Sequence, residues 1–227
     1  MNRKHITNII VLTVVSCLML YVIEQVLLAS YIVKTGSKIV LFLLIPLWYI
    51  KIVLKEPIWH SLRLNHIDKR RLAYGFSLGI VSMVIIILAY VILQDFIQAE
   101  TIILDLRERL NITFETYIFI ALYITFGNSL LEEFYFRGFI FLKFYQSDYK
   151  LLGYIFSSGL FAVYHVAIFA TWFDIWLIGL ALIGLFTVGI VFCWLNTKTN
   201  NFLNSWILHI CADIAVVSIG FYLFWTL

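Results

Sequence analysis

The sequence predicts an all-α fold, a polytopic membrane helix bundle with about seven transmembrane helices, and three observations lead to it. Apolar residues come in runs long enough to cross a bilayer as helix, for which about 20 residues are needed. Hydrophobic residues make up 63% of the 227 and charged residues only 13%, against about half and about a quarter in soluble domains. Mean hydropathy is correspondingly high, at +0.99. Lastly, most Lys and Arg residues fall between the apolar runs. The net charge of +3 therefore describes loops, and no nucleic-acid partner is expected.

Seven apolar segments follow in order: Ile6–Val33, Ile39–Leu54, Leu72–Leu93, Phe114–Phe144, Leu151–Ala170, Ile175–Leu195 and Phe202–Trp225. The first begins like a signal peptide. It is too long for one, and no A-x-A cleavage site follows, so it reads as a retained span. The third carries Gly75 and Gly79, a small-xxx-small pair that lets a neighbouring helix approach closely. Between the third and fourth segments, residues 95–111 place Phe96, Ala99, Ile103, Leu106 and Leu110 at helical spacing. That pattern fits either a short interfacial helix or an amphipathic loop. Asn111-Ile112-Thr113 matches a glycosylation sequon, a tripeptide common by chance. The chain divides at the end of this connection, into residues 1–113 and a core of residues 114–227.

Orientation follows from the bias of Lys and Arg towards cytoplasmic loops. With the N-terminus inside, the inner segments hold eleven basic residues. The outer segments hold four: Lys34, Lys38, Arg107 and Arg109. The expected arrangement is a multi-pass protein of a cell membrane with a cytoplasmic N-terminus. Cys17, Cys193 and Cys211 all lie in apolar runs without metal or disulfide spacing and read as small buried hydrophobes.

The informative residues are the ionisable ones within the spans. An ionisable side chain at the bilayer centre costs at least a few kcal/mol, so it faces the bundle interior or a wet cavity. Here they form three groups: Glu132, Glu133 and Arg137 in "EEFYFR", His165 in "FAVYH", and His209 and Asp213 in "HICAD". Glu133 and Arg137, at i and i+4, can pair along one helix face. Glu132 points about 100° away and is left for another partner. Phe161 lies one turn before His165, and His209 and Asp213 project from one side of the last span. Glu24 matches no pattern and belongs near a helix junction or a local partner.

If the fourth, fifth and seventh spans meet, Glu132, His165, His209 and Asp213 converge on one polar pocket. A carboxylate and an imidazole around a water are the parts of a general base for hydrolysis. Two histidines with two carboxylates could equally hold a zinc ion with a water in the open position. The same residues could also be a structural ion-pair cluster or an ion pathway, although a pathway would distribute its groups along the membrane depth.

At these residues the chain resembles the CPBP family, which comprises the type II CAAX prenyl endopeptidases and the bacteriocin-processing or bacteriocin-immunity (Abi) proteins. E-E-x-x-x-R, F-x-x-x-H and H-x-x-x-(N/D) occur in the family's order, and "LLEEFYFRGFI" looks like its bacterial members. The likeness covers roughly residues 115–220. It implies an intramembrane endopeptidase in which Glu132 and His165 activate water, while His209 and residue 213 stabilise the oxyanion. Glu133, Arg137 and Phe161 would support that site. The implied partners are membrane lipid and a peptide or protein substrate. One position departs: the prenyl endopeptidases have asparagine where this chain has Asp213. An ionised carboxylate cannot donate to an oxyanion, so that role of residue 213 is in doubt. A cavity facing the cytoplasm is expected from the positions of Glu132 and His209 along their spans. The alternative function is a non-proteolytic immunity or membrane-partner protein on the same fold.

Overall fold

The structure is a computed structural model that describes residues 3–62 and 70–227. Among these residues, seven helices are long and apolar enough to cross a membrane: Arg3–Val26, Tyr31–Val53, Leu72–Phe96, Phe114–Tyr145, Lys150–Phe169, Ile175–Thr199 and Leu203–Thr226. No strand occurs among the described residues. The expected all-α membrane bundle is thus the observed fold.

Five of the seven spans begin and end close to the expected residues. The first two do not. The apolar run that reads as continuous to Val33 breaks after Val26, at a turn in which Leu28 takes a left-handed conformation (φ 46°). Ser30, extended at φ −61° and ψ 157°, opens the second helix at Tyr31. Lys34 and Lys38, expected in an outer loop, therefore lie inside the second span. Glu24 finds its partner at this junction, with Lys34 Nζ 2.5 Å from its Oε1. Arg63 and Lys69, which contribute to the inner count, lie outside the described residues.

Local chemistry fixes several other ends. Thr113 caps the fourth span by accepting from the Thr116 amide, while Thr116 Oγ1 accepts in return from the Thr113 amide at 2.8 Å. That reciprocal capping satisfies two donors left open at a helix start. Asp174 caps the sixth span through the amides of Trp176 and Leu177, at 3.0 and 2.9 Å. Asn200, left-handed at φ 58°, ends it. The connection before the fourth span is helical over residues 99–109. Its Ile103 is buried among Ile112, Tyr117, Val217, Leu223 and Phe224.

The fourth span is the axis of the molecule. Every residue from Leu131 to Phe144 is buried, so this stretch is apolar all round apart from its charged residues, as a central helix must be. Over residues 123–128 and 133–141 its turns are wide, with i→i+5 hydrogen bonds, illustrated by the Leu142 amide donating to the Arg137 carbonyl. Ser157 of the fifth span donates to the Phe136 carbonyl at 2.8 Å. Tyr135 stacks on Phe42 of the second span, with ring centroids 3.8 Å apart.

The third span packs along the seventh, through the small residues marked in the sequence. Its buried residues are Gly75 and Gly79. The Gly75 amide donates to Asn204 Oδ1 at 3.0 Å, and a Cβ at Gly79 would lie 2.7 Å from Cys211 Sγ. Gly79→Val should therefore overpack this contact and cost about 1–3 kcal/mol, read as a lower melting temperature in detergent. Gly184, with nothing within 4 Å of an added Cβ, should accept valine without loss. Equal behaviour of the two variants would contradict this packing.

Candidate active site

Glu132 ends a regular turn of the fourth span, and Glu133 opens the wide turns that follow. Their side chains part company, as the 100° rotation requires. Glu133 turns to Arg137, whose Nη1 donates to Glu133 Oε1 at 2.9 Å, both side chains being fully buried. The same oxygen accepts from His209 Nδ1 at 3.0 Å. Arg137 is otherwise surrounded by rings: its guanidinium carbon lies 4.0 Å from the Phe161 centroid and 4.6 Å from that of Phe192. Among the described residues its Nε and Nη2 have no hydrogen-bond partner. Aromatic faces take over part of the stabilisation that water would otherwise give a cation.

Glu132 faces the other way. Its Oε1 accepts from Lys38 Nζ at 2.5 Å and from Asn128 Nδ2 at 3.0 Å. Lys38 also donates to Asn128 Oδ1, which closes a three-member cluster on one carboxylate oxygen. The second oxygen, Oε2, is buried and has no hydrogen-bond partner among the described residues. It faces two imidazoles, at 3.6 Å from His165 Nε2 and 3.8 Å from His209 Nε2. His209 Nε2 is in turn 3.7 Å from Asp213 Oδ1.

The hydrogen bonds determine which imidazole nitrogens carry protons. His165 Nδ1 lies 2.7 Å from the Phe161 carbonyl oxygen, which only accepts, so Nδ1 is the donor. In neutral His165 the lone pair is then on Nε2, pointing towards Glu132 Oε2. Two acceptors 3.6 Å apart cannot bond one another. A molecule with two O–H or N–H groups could bridge them, since polar groups at this separation are joined through an intermediate. His209 Nδ1 likewise donates to Glu133, because a carboxylate accepts.

The four residues expected to converge do so, and the three expected to support them surround them. Phe161 meets the His165 ring edge-on at 4.4 Å and the His209 ring at 6.0 Å. Sequence reasoning missed Lys38, Asn128 and Phe192. Asn128 carried a signal, since it lies four residues before Glu132 on the same helix face. Phe192 carried none.

A zinc ion would find suitable donor types here in Glu132, His165, His209 and Asp213. Lys38 sets a positive charge against Glu132, where a dication would bind. Among the described residues no three His, Cys, Asp or Glu side chains form a group that could hold a metal ion. Depth along the spans differs from helix to helix. His165 lies four residues from the end of its span and Lys38 seven from the start of its own, about 6 and 10 Å at 1.5 Å per residue. These are the ends that an inside N-terminus places outside. The site is therefore nearer that face on the second and fifth spans, because the fifth span ends just beyond His165. On the seventh span His209 lies six residues from the start, at the opposite face, and Glu132 lies past the middle of the fourth span towards that same face. Two cavities lie elsewhere: about 230 Å³ among His5, Leu54, Glu56, Lys143 and Gln146, and about 410 Å³ along residues 97–101 and Leu227.

Comparison with known protein families matches residues 114–215 to "Type II CAAX prenyl endopeptidase Rce1-like". The match covers somewhat under half of the chain and contains Glu132, Glu133, Arg137, Phe161, His165, His209 and Asp213, but not Lys38. No curated protein and no solved structure gives a significant match.

Breaking a buried pair by removing one partner leaves an uncompensated charge and costs about 3–5 kcal/mol, whereas replacing both partners by apolar groups is often tolerated. Arg137→Met should accordingly abolish stable accumulation in membranes. Adding Glu133→Leu to that variant should restore much of it. Normal accumulation and melting of Arg137→Met alone would contradict the pairing.

Proposed function

We propose that the protein is an intramembrane endopeptidase using water activated by Glu132 and His165, a reading supported by the match of residues 114–215 to the Rce1-like type II CAAX prenyl endopeptidase model. Its substrate is a peptide or protein associated with the membrane. The observation that carries this reading is the facing pair of acceptors, Glu132 Oε2 and His165 Nε2, 3.6 Å apart. A water held between them directs one hydrogen to each and keeps an oxygen lone pair for attack. Family likeness supports the reaction class, and the geometry supports Glu132 and His165 as the base.

In the first step the water oxygen bonds to the scissile carbonyl carbon, and its proton passes to Glu132 Oε2. The carbonyl π pair moves onto oxygen. His209, doubly protonated, donates Nδ1–H to Glu133 and Nε2–H to that oxyanion. Asp213 Oδ1, 3.7 Å from His209 Nε2, stands beside the imidazolium as a negative charge and does not donate to the oxyanion. It thus offsets the imidazolium charge, and aspartate is compatible with the site although it cannot replace an asparagine amide. In the second step the oxyanion re-forms the carbonyl, and the C–N bond breaks. Glu132 then returns its proton to the leaving amine. Positioned acid–base groups of this kind contribute about 10²–10⁴-fold in rate.

Membranes carrying wild type or Glu132→Gln at matched protein levels should differ in the small peptides they release. Mass spectrometry should show a set that falls at least about 100-fold in the variant, normalised to the amount of folded protein. Identical peptide profiles would favour the non-proteolytic immunity or partner role. Treating wild-type membranes with EDTA or 1,10-phenanthroline should leave the release unchanged. Loss on chelation, restored by zinc, would replace the metal-free mechanism with a metal-dependent one.

A further inference from the structure

The residue that meets Glu132 most closely lies outside the segment that matches the family. Lys38 is on the second span, in "YIVKTGSKIV", 94 residues from Glu132 in sequence. It is buried at 7% exposure, although a lysine so deep in an apolar helix costs a few kcal/mol unless paired. Lys34, one turn earlier, is engaged by Glu24, so the two lysines have separate partners. Lys38 is held from three sides: by Glu132 Oε1, by Asn128 Oδ1, and by the Tyr164 ring, whose centroid is 4.9 Å from Nζ.

We propose that Lys38 is a positioning residue for the reaction, clamping Glu132 Oε1 together with Asn128 so that Oε2 alone is presented to His165 and His209. A carboxylate has two oxygens that exchange by rotation about its last bond. Two donors on one oxygen, one of them an ammonium held at both Asn128 and Glu132, fix that rotation. A base oriented in advance loses less entropy on the way to the transition state. The second role is charge. Glu133 already has Arg137 as its partner, and Asp213 adds a carboxylate where the resemblance leads one to expect a neutral amide. Lys38 supplies the cation that this arrangement needs. The first 113 residues are then more than a membrane anchor, because one of their helices completes the site.

The inference rests on the peptidase reading for its rate effect but not for the pairing, so the test has two arms. In the first, Lys38→Met, Glu132→Gln and the double variant are melted in detergent. Lys38→Met alone should lower the midpoint by on the order of 5 °C or more, and adding Glu132→Gln should recover most of that loss. Additive shifts, or no shift for Lys38→Met, would overturn the pairing. In the second arm, kcat and KM are measured on the synthetic precursor of the most abundant peptide whose release depends on Glu132. Lys38→Gln, which keeps a hydrogen-bond donor without the charge, should lower kcat at least about tenfold with KM within about threefold. Lys38→Arg should recover a substantial part of that rate. Wild-type kcat in Lys38→Gln, or a loss wholly in KM, would overturn the positioning role while leaving the peptidase reading intact. Absence of any Glu132-dependent peptide would instead remove the peptidase reading, and the melting arm would still decide whether Lys38 is the partner of Glu132.

Discussion

A carboxylate held in an apolar interior needs an opposite charge within bonding distance, and this structure meets that need twice on one helix. Glu133 is paired along the fourth span by Arg137 at 2.9 Å, and Glu132 is paired across the bundle by Lys38 at 2.5 Å. Each pairing uses one oxygen of its carboxylate. The first also engages His209, which ties the seventh span to the fourth. The second requires the second span to lie against the fourth, since Lys38 must reach Glu132. Charge compensation therefore dictates which helices surround the site, and it does so before any chemistry is considered.

The central helix makes this geometry available. In a regular α-helix adjacent residues diverge by about 100°, which separates the two glutamates. The wide turns that begin at Glu133 are a feature common at functional sites. Aromatic side chains fill the space around them. Phe136, Phe161 and Phe192 enclose the guanidinium of Arg137, and Phe161 also abuts the imidazole of His165. An apolar, close-packed wall keeps bulk water from the charges and leaves the hydrogen bonds between them at full strength, as expected where the local dielectric is low. With Lys38 and Arg137 against Glu132, Glu133 and Asp213, one further positive charge on His209 would make the cluster neutral.

Much of this was legible in the sequence, for identifiable reasons. Glu132, Glu133, Arg137, His165, His209 and Asp213 stand out because ionisable residues in apolar spans are rare and costly. Helical spacing predicts the Glu133–Arg137 pair directly. Gly75 and Gly79 announced the contact that the third span makes with the seventh. Lys38 was illegible because the break at Leu27–Ser30 has no proline or glycine to mark it. "VLLASYIV" reads as unbroken helix, and the lysines after it then read as loop. The bond from His209 to Glu133 was equally hidden, since it joins two spans whose rotation about their axes no periodicity specifies. Depth is not fixed by counting residues along the spans, since His165 lies four residues from the end of the fifth and His209 six from the start of the seventh.

The central claim is that Glu132 stands in the apolar interior as a charged base, held by Lys38. Isotope-edited infrared spectroscopy of the protein in lipid, with glutamate side chains ¹³C-labelled, tests it without a substrate. The difference between wild type and Glu132→Gln should show loss of the bands of an ionised carboxylate. A difference showing instead the carbonyl band of a neutral acid would contradict the account, because Glu132 would then carry a proton and could not accept one from water.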